Sequence, residues 1–186
     1  GIAIYDAADD AWRHIDRNSG LAAPDARRIA VVGDREQIWV ASDEGVTVAA
    51  GSDSTFYDSG NSPLAADRVG ALLALDDGVV WLGGEGALYR VEDEEWTVYA
   101  AGEVAGDFPE ELITGLARAP DGSLWLGSSD AAVCRFDVEQ ERCADYFAGD
   151  DGMAAGPLTN LFVDASGSVY YTTAGNGYAV YAGEEW

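Results

Sequence analysis

Residues 120–136, PDGSLWLGSSDAAVCRF, decide how this chain is read. Asp121-Gly122 is a turn signal, because Gly takes positive φ without steric cost and Asp hydrogen-bonds to nearby backbone. The turn runs directly into Leu124-Trp125-Leu126-Gly127, and a second apolar run follows at 131–136. Read alone, Trp125 has two uses: the floor of a binding site, or a packing element in a repeated frame. Repetition along the chain separates them.

Three other segments align with this one: QIWVASDEGVTV (37–48), VVWLGGEGALYRV (79–91) and SVYYTTAGNGYAVY (168–181). Trp39, Trp81, Trp125 and Tyr170 then form one column, spaced by 42, 44 and 45 residues. A turn precedes each aromatic (GDREQ, DDG, PDG, DASG), and an apolar run precedes each turn (RIAVV, VGALLAL, ITGLARA, LTNLFVD). A second apolar run follows, and in three units an aromatic segment after it (STFYDSG, EWTVYAAG, CADYFAG). Each unit therefore reads as four short strands rich in Val, Leu, Ile, Tyr and Trp, bounded by Gly, Asp and Pro. No window keeps a helical period with caps, so almost no helix is expected. Four-stranded antiparallel units of about 44 residues predict an all-β fold, a β-propeller, in which each blade is covered on both faces by its neighbours. A residue type repeated at the same place in every blade is a packing element, and Trp125 is read as one.

The two ends repeat each other. GIAIYDAADDAW (1–12) echoes GYAVYAGEEW (177–186) at a distance of 176 positions, four spans of 44. The expected organisation is a half blade at 1–20, blades at about 26–60, 67–102 and 112–149, and a partial blade at 157–186, as one propeller segment. Two segments competing for the third-strand position point to a piece of a longer propeller, with a closed four-bladed ring as the alternative. An open end would expose a strand edge and an apolar blade face, which is a surface for self-assembly.

The stretches GLAAPDARRIAVVGDREQIWVASDEGV, ITGLARAPDGSLWLGSSDAAVCRF and GMAAGPLTNLFVDASGSVYYTTAGNG resemble the two-component regulator propeller repeat. That repeat runs as a Gly-Leu loop, a Val and an Ile three apart, an Asp, a Gly, then Leu-Trp-Ile-Gly-Thr and a Gly-Leu-x-Arg strand. Matching positions in the third unit include Ile113, Leu116, Gly122, Trp125, Gly127 and Arg135; in the last, Gly152, Leu158, Leu161, Asp164, Gly167 and Val169. Tyr170 departs from the pattern, the first repeat is displaced by about a residue, and Ala131-Ala132 stands where Gly is usual. The resemblance implies a sensor portion of a bacterial signalling protein, often one reading carbohydrate outside the membrane, or a surface protein.

Composition narrows the partners. The chain carries 34 acidic and 10 basic residues, a net charge of −24, and every basic residue is Arg. Such a surface repels polyanions, so nucleic acid is not an expected partner. A lysine-free, carboxylate-rich surface is also what keeps a protein soluble in concentrated salt, and the acids are spread along the chain rather than clustered. No apolar run is long enough to span a bilayer, so membrane insertion is not expected. Cys134 and Cys143 flank RFDVEQER; a hairpin turning near Val138-Glu139 would set the thiols opposite each other for a disulfide, and two free buried thiols are the alternative. A disulfide would suit an extracellular or cell-surface setting, with a cytoplasmic one left open.

Chemistry beyond binding is thinly represented. His14 is the single histidine and falls on an outer strand, so it is read as a surface or packing residue. Histidine-rich metal sites are excluded by count, the cysteines lack zinc spacing, and no loop carries the spaced calcium pattern, 148–156 being the nearest. No cofactor is expected. The adjacent acids Asp76-Asp77, Glu94-Glu95 and Asp150-Asp151 point different ways on a strand or turn, which argues against the paired carboxylates of a polysaccharide-cleaving enzyme. The expectation is a non-catalytic recognition or scaffold module that takes carbohydrate or another protein. Loops joining the fourth strand to the next first strand gather at the channel mouth together with the loops between second and third strands, and place Asp25, Arg28, Asp67, Arg68, Glu111 and Asn160 there as candidate ligand residues, with Arg27 and Glu110 beside them. Arg28 and Arg68, read as occupying comparable positions, could bind a carboxylate or sugar through forked hydrogen bonds. The alternative is that they only steady the loops by pairing with Asp25, Asp67 or Glu111.

Overall fold

The repeat appears directly in the sheets. In a computed structural model, described here for residues 1–21, 25–33, 37–149, 152–182 and 185–186, the chain forms seventeen strands and one short 3-10 turn at Arg17–Ser19. A hairpin, β1 (Ile2–Asp6) and β2 (Ala11–Ile15), precedes three four-stranded antiparallel sheets. The first complete blade is β3 (Arg28–Val32), β4 (Gln37–Ala41), β5 (Val46–Ala50) and β6 (Asp53–Tyr57). The second is β7 (Val69–Ala74), β8 (Val80–Gly84), β9 (Ala87–Glu92) and β10 (Glu95–Ala100). The third is β11 (Ile113–Arg118), β12 (Leu124–Ser128), β13 (Val133–Asp137) and β14 (Arg142–Phe147). The last sheet has three strands, β15 (Leu158–Val163), β16 (Val169–Thr173) and β17 (Gly177–Tyr181).

The second, third and last sheets turn the same way for the same reason. Gly78, Gly122 and Gly167 end the loop between first and second strands at φ of 87°, 88° and 88°. There an L side chain would be strained. Their amides close the turn on the carbonyls of Leu75, Ala119 and Asp164. Asp77, Asp121 and Asp164 accept the amides of Val79, Ser123 and Ser166, as turn-forming aspartates do. The displaced first repeat also has a structural cause: β7, β11 and β15 each carry a bulge at one place, before Ala71, Gly115 and Asn160, whereas β3 pairs with β4 in unbroken register.

Apolar residues on both faces of the blades fill the spaces between them. Trp39, Trp81 and Trp125 are each buried in the cluster shared with the following blade. Trp81 stacks on Tyr99 and Trp125 on Phe147, with ring centroids 5.9 and 6.2 Å apart. Trp125 is thus a packing element, as its recurrence implied. Glycine sets how closely blades approach. A Cβ on Gly83 would lie 2.5 Å from Ile113 Cγ2, and one on Gly127 would lie 2.5 Å from Leu158 Cδ1.

Cys134 and Cys143 are joined in a disulfide, with Cα atoms 5.7 Å apart, but they are not opposite one another. A register shift at Arg135/Phe136 leaves Cys134 facing Tyr146 and Cys143 facing Phe136, so the bond runs diagonally across the hairpin. His14 lies exposed on β2, opposite Ala3, as expected. The Asp150-Asp151 pair, and with it the centre of the 148–156 loop, lies outside the described residues. No helix in the described residues is long and apolar enough to cross a membrane.

Substituting Gly127 by Val should cost about 1–3 kcal/mol in urea unfolding, while Gly33→Ala, with nothing within 4 Å of its Cβ, should be close to neutral. Replacing both cysteines by Ser removes a cross-link between residues nine apart. Chain entropy then predicts a loss of about 2.5 kcal/mol, which should match the loss on reducing the parent protein.

Candidate functional site at the channel mouth

The channel mouth is stitched by backbone before any side chain is considered. The Val69 amide donates to Ser42 O at 3.1 Å, Ser129 N to Leu112 O at 2.9 Å and Gly86 N to Glu111 O at 3.3 Å. The bonds of Val69 and Gly86 tie a loop between second and third strands to the following blade, and the bond of Ser129 ties such a loop to the residue leading into its own blade's first strand. Side chains are therefore displayed on a rigid rim.

Four charged residues form a chain across the first two complete blades. Arg27 donates through Nη2 to Asp43. Arg68 Nε lies 3.2 Å from the other Asp43 oxygen, and its Nη1 lies 3.8 Å from Glu85. The hydrogen bond from Arg27 is the largest influence on the Asp43 carboxyl; burial opposes it, and the positive charges of Arg27 and Arg68 with the Arg68 hydrogen bond add to it, so that the carboxyl is held below its usual range. The same bond raises Arg27. All four side chains keep between about two-fifths and half of their surface in water. Donors and acceptors thus sit side by side and remain reachable.

The structure divides the sequence-predicted residues. Arg68 joins this chain, and Asp25 contributes only its charge, which adds to the raising of Arg27. Asp67 does not pair with Arg68: it accepts the amide and hydroxyl of Ser59, and these bonds lower its pKa. Glu111 is exposed, and it is its carbonyl that bonds the rim. Asn160 lies away from the rim group, beside Phe162, Tyr170 and Tyr178 on the outer face of the last blade, with its Oδ1 taking the Leu161 amide.

Arg28 is not equivalent to Arg68. It lies opposite Ala41, two residues beyond Trp39, which puts it in the place held by Ala71 in the next blade, whereas Arg68 precedes Val69. Its Nη2 donates to Thr159 O at 2.9 Å and Thr114 O at 3.3 Å, and Nη1 to Arg27 O at 3.1 Å. Arg28 therefore reaches from β3 to the innermost strands of the third and last blades. Its partners are carbonyls, not the carboxylates of Asp25, Asp67 or Glu111.

Asp43 and Glu85 are not among the sequence candidates: they stand on loops between second and third strands, whereas the candidate residues come from the loops that lead into first strands. A signal existed, since both stand four residues after the repeated tryptophan. A second missed feature is a cleft of about 650 Å³ between the third and last blades, walled by Trp125, Phe147 and Tyr181. Arg135 in its floor is held by Asp145, with Nε at 2.6 Å, and has Asp121 at 3.9 Å. Its charges are matched internally, and the arrangement is a clamp across β13 and β14. Among the described residues no group of acids, cysteines and histidine is arranged to hold a metal ion.

No family pattern and no curated protein matches the sequence. Solved structures do match. The extracellular domain of the BT3049 hybrid two component system of B. thetaiotaomicron superposes with a TM-score of 0.72 at 14% identity, over 97% of this chain and 23% of that one. The corresponding domain of BT4673 from the same organism gives 0.68 at 21% identity, over 97% of this chain and 24% of that one. The WD40 β-propeller domain of Doa1 gives 0.69 at 15%, over 87% of this chain and 52% of that one. The fold is a β-propeller, and the chain spans between about a quarter and half the length of these structures.

Because Asp43 is held low in the folded state, its contribution is complete above its ordinary value of about 3.8 and is lost as pH falls through the lowered one. Asp43→Asn should therefore flatten the acid limb of a stability-versus-pH curve below about pH 4 and reduce stability at neutral pH.

Proposed function

We propose that this propeller is a non-catalytic recognition module, of two-component regulator propeller type and exported, that binds carbohydrate at the channel mouth. The observation that carries the reading is the exposed Arg27–Asp43–Arg68–Glu85 chain. Sugar hydroxyls donate and accept at once, and adjacent arginine forks and carboxylates meet both demands. The disulfide agrees with an oxidising compartment. So does the likeness to extracellular domains of bacterial two component systems.

A polysaccharide-cleaving enzyme finds less support. A general acid needs a raised carboxyl pKa, yet among the described residues the carboxyls displaced from their ordinary range, Asp43, Asp67, Asp121 and Asp164, are displaced downward by hydrogen-bond donors.

Arg68→Ala, which leaves the Arg28 bonds across the channel intact, should weaken binding on a glycan array at least about tenfold, the loss of one charge-assisted hydrogen bond or more. Arg68→Lys should restore part of it. Unchanged glycan binding would remove the mouth as the site, and capture of a protein instead of glycan would replace the ligand class. Sugar release from a polysaccharide panel would overturn the non-catalytic reading.

A further inference from the structure

The third blade carries a second group of arginines, at the end away from the channel mouth. Strands in a blade run antiparallel, so the turns joining first to second and third to fourth strands gather opposite the mouth. In the third blade these are residues 119–123 and 138–141. Between them lies a cleft of about 580 Å³, a size that suits a small-molecule site. Arg118, Arg135 and Arg142 line it, three of the ten arginines in the chain, together with the acids Asp121, Asp137 and Glu139. Acids outnumber arginines 34 to 10 in the whole chain, so parity here makes the cleft a local break in a negative surface.

The repeated frame does not call for two of these arginines. Arg118 pairs with the residue before the repeated aromatic, and the other sheets hold Val31, Ala74 and Val163 in its place. Arg142 opens the fourth strand, which Asp53 and Glu95 open in the first and second complete blades. Their donors are also unclaimed. Arg135 is held by Asp145 and Asp121. Arg142 donates from Nε to Gln140 Oε1 at 2.8 Å, and its Nη groups have no partner among the described residues. Arg118 is exposed, and its guanidinium makes no hydrogen bond or ion pair among the described residues.

Two of the three acids are turned toward backbone. Asp121 accepts the Ser123 amide and hydroxyl, and Asp137 accepts the amides of Glu139 and Gln140. Glu139 is exposed and has no partner among the described residues, so it offers acceptors to a hydroxyl. A guanidinium is all donor, in a fork that fits a carboxylate. At the mouth the forks of Arg27 and Arg68 already meet carboxylates; here two forks do not.

We propose that this cleft is a second ligand site, separate from the mouth, that takes a small hydroxy acid of the sugar-acid class. The ligand's carboxylate lies on the free donors of Arg118 and Arg142, a hydroxyl donates to Glu139, and Arg135 is the fixed wall.

Titrating glucuronate into the protein tests this, with amide NMR shifts as the readout and molar salt to screen the net charge of −24 to a range of about 3 Å. Shifts are expected at residues 118–123 and 137–142. Arg118→Ala or Arg142→Ala should weaken binding at least about tenfold, the loss of one charge-assisted hydrogen bond or more. Arg142→Lys should restore part of it, since lysine keeps the charge and lacks the fork. Both side chains are exposed, and unchanged amide shifts elsewhere show that each variant stays folded. Glucose should leave these amides unmoved, and Arg68→Ala should leave glucuronate binding unchanged. No shift at these residues, equal shifts with glucose, or binding indifferent to both alanine variants overturns the proposal. Acetate binding as tightly as glucuronate overturns the sugar-acid class, and sulfate binding more tightly overturns the carboxylate. Loss of glucuronate binding in Arg68→Ala alone overturns the second site and leaves the mouth as the place of binding.

Discussion

The seating of an aliphatic side chain on a glycine of the preceding blade is the contact on which this architecture depends. Ile113 and Leu158 occupy the space that a Cβ on Gly83 and Gly127 would fill. Close-packed interiors tolerate little change in volume, so these glycines fix the spacing of the inner strands. The spacing in turn lets Trp81 and Trp125 fill the wider gap farther from the axis. In the last blade the corresponding place, two residues beyond Tyr170, is held by Thr172, opposite Tyr178. In the first complete blade it is held by Ala41, opposite Val46, so the glycine seat belongs to the two interfaces on either side of the third blade.

Much of this was legible because the information is local and repeated. Turn glycines at positive φ, alternating short apolar runs and the tryptophan column each act within one blade or on its immediate neighbour, so they appear in the sequence as a period. The half blade at the start and the three-stranded sheet at the end were legible for the same reason. The disulfide partners were legible as a pair, but their diagonal geometry was not. It depends on a one-residue register shift beside Arg135, which no spacing rule announces.

The rim was only half legible. Loop order placed Arg27, Arg28 and Arg68 near the mouth, but their partners depend on which loops of neighbouring blades face each other in space. Asp43 became the centre of the charged chain because it is reached from its own blade by Arg27 and from the next by Arg68. Asp67, adjacent to Arg68 in sequence, turned back to Ser59 instead. In a chain with 34 acids and 10 arginines, each guanidinium has many carboxylates within reach, and backbone geometry selects among them.

Arg28 carries a consequence of another kind. Its guanidinium, bonded to the carbonyls of Thr114 and Thr159, stretches over the space enclosed by the innermost strands like a crossbar. The central opening is therefore crossed by a side chain. A polymer reaching it must lie across the brim or enter by one terminus and stop, since a strand threading from end to end would have to break a tie joining three blades.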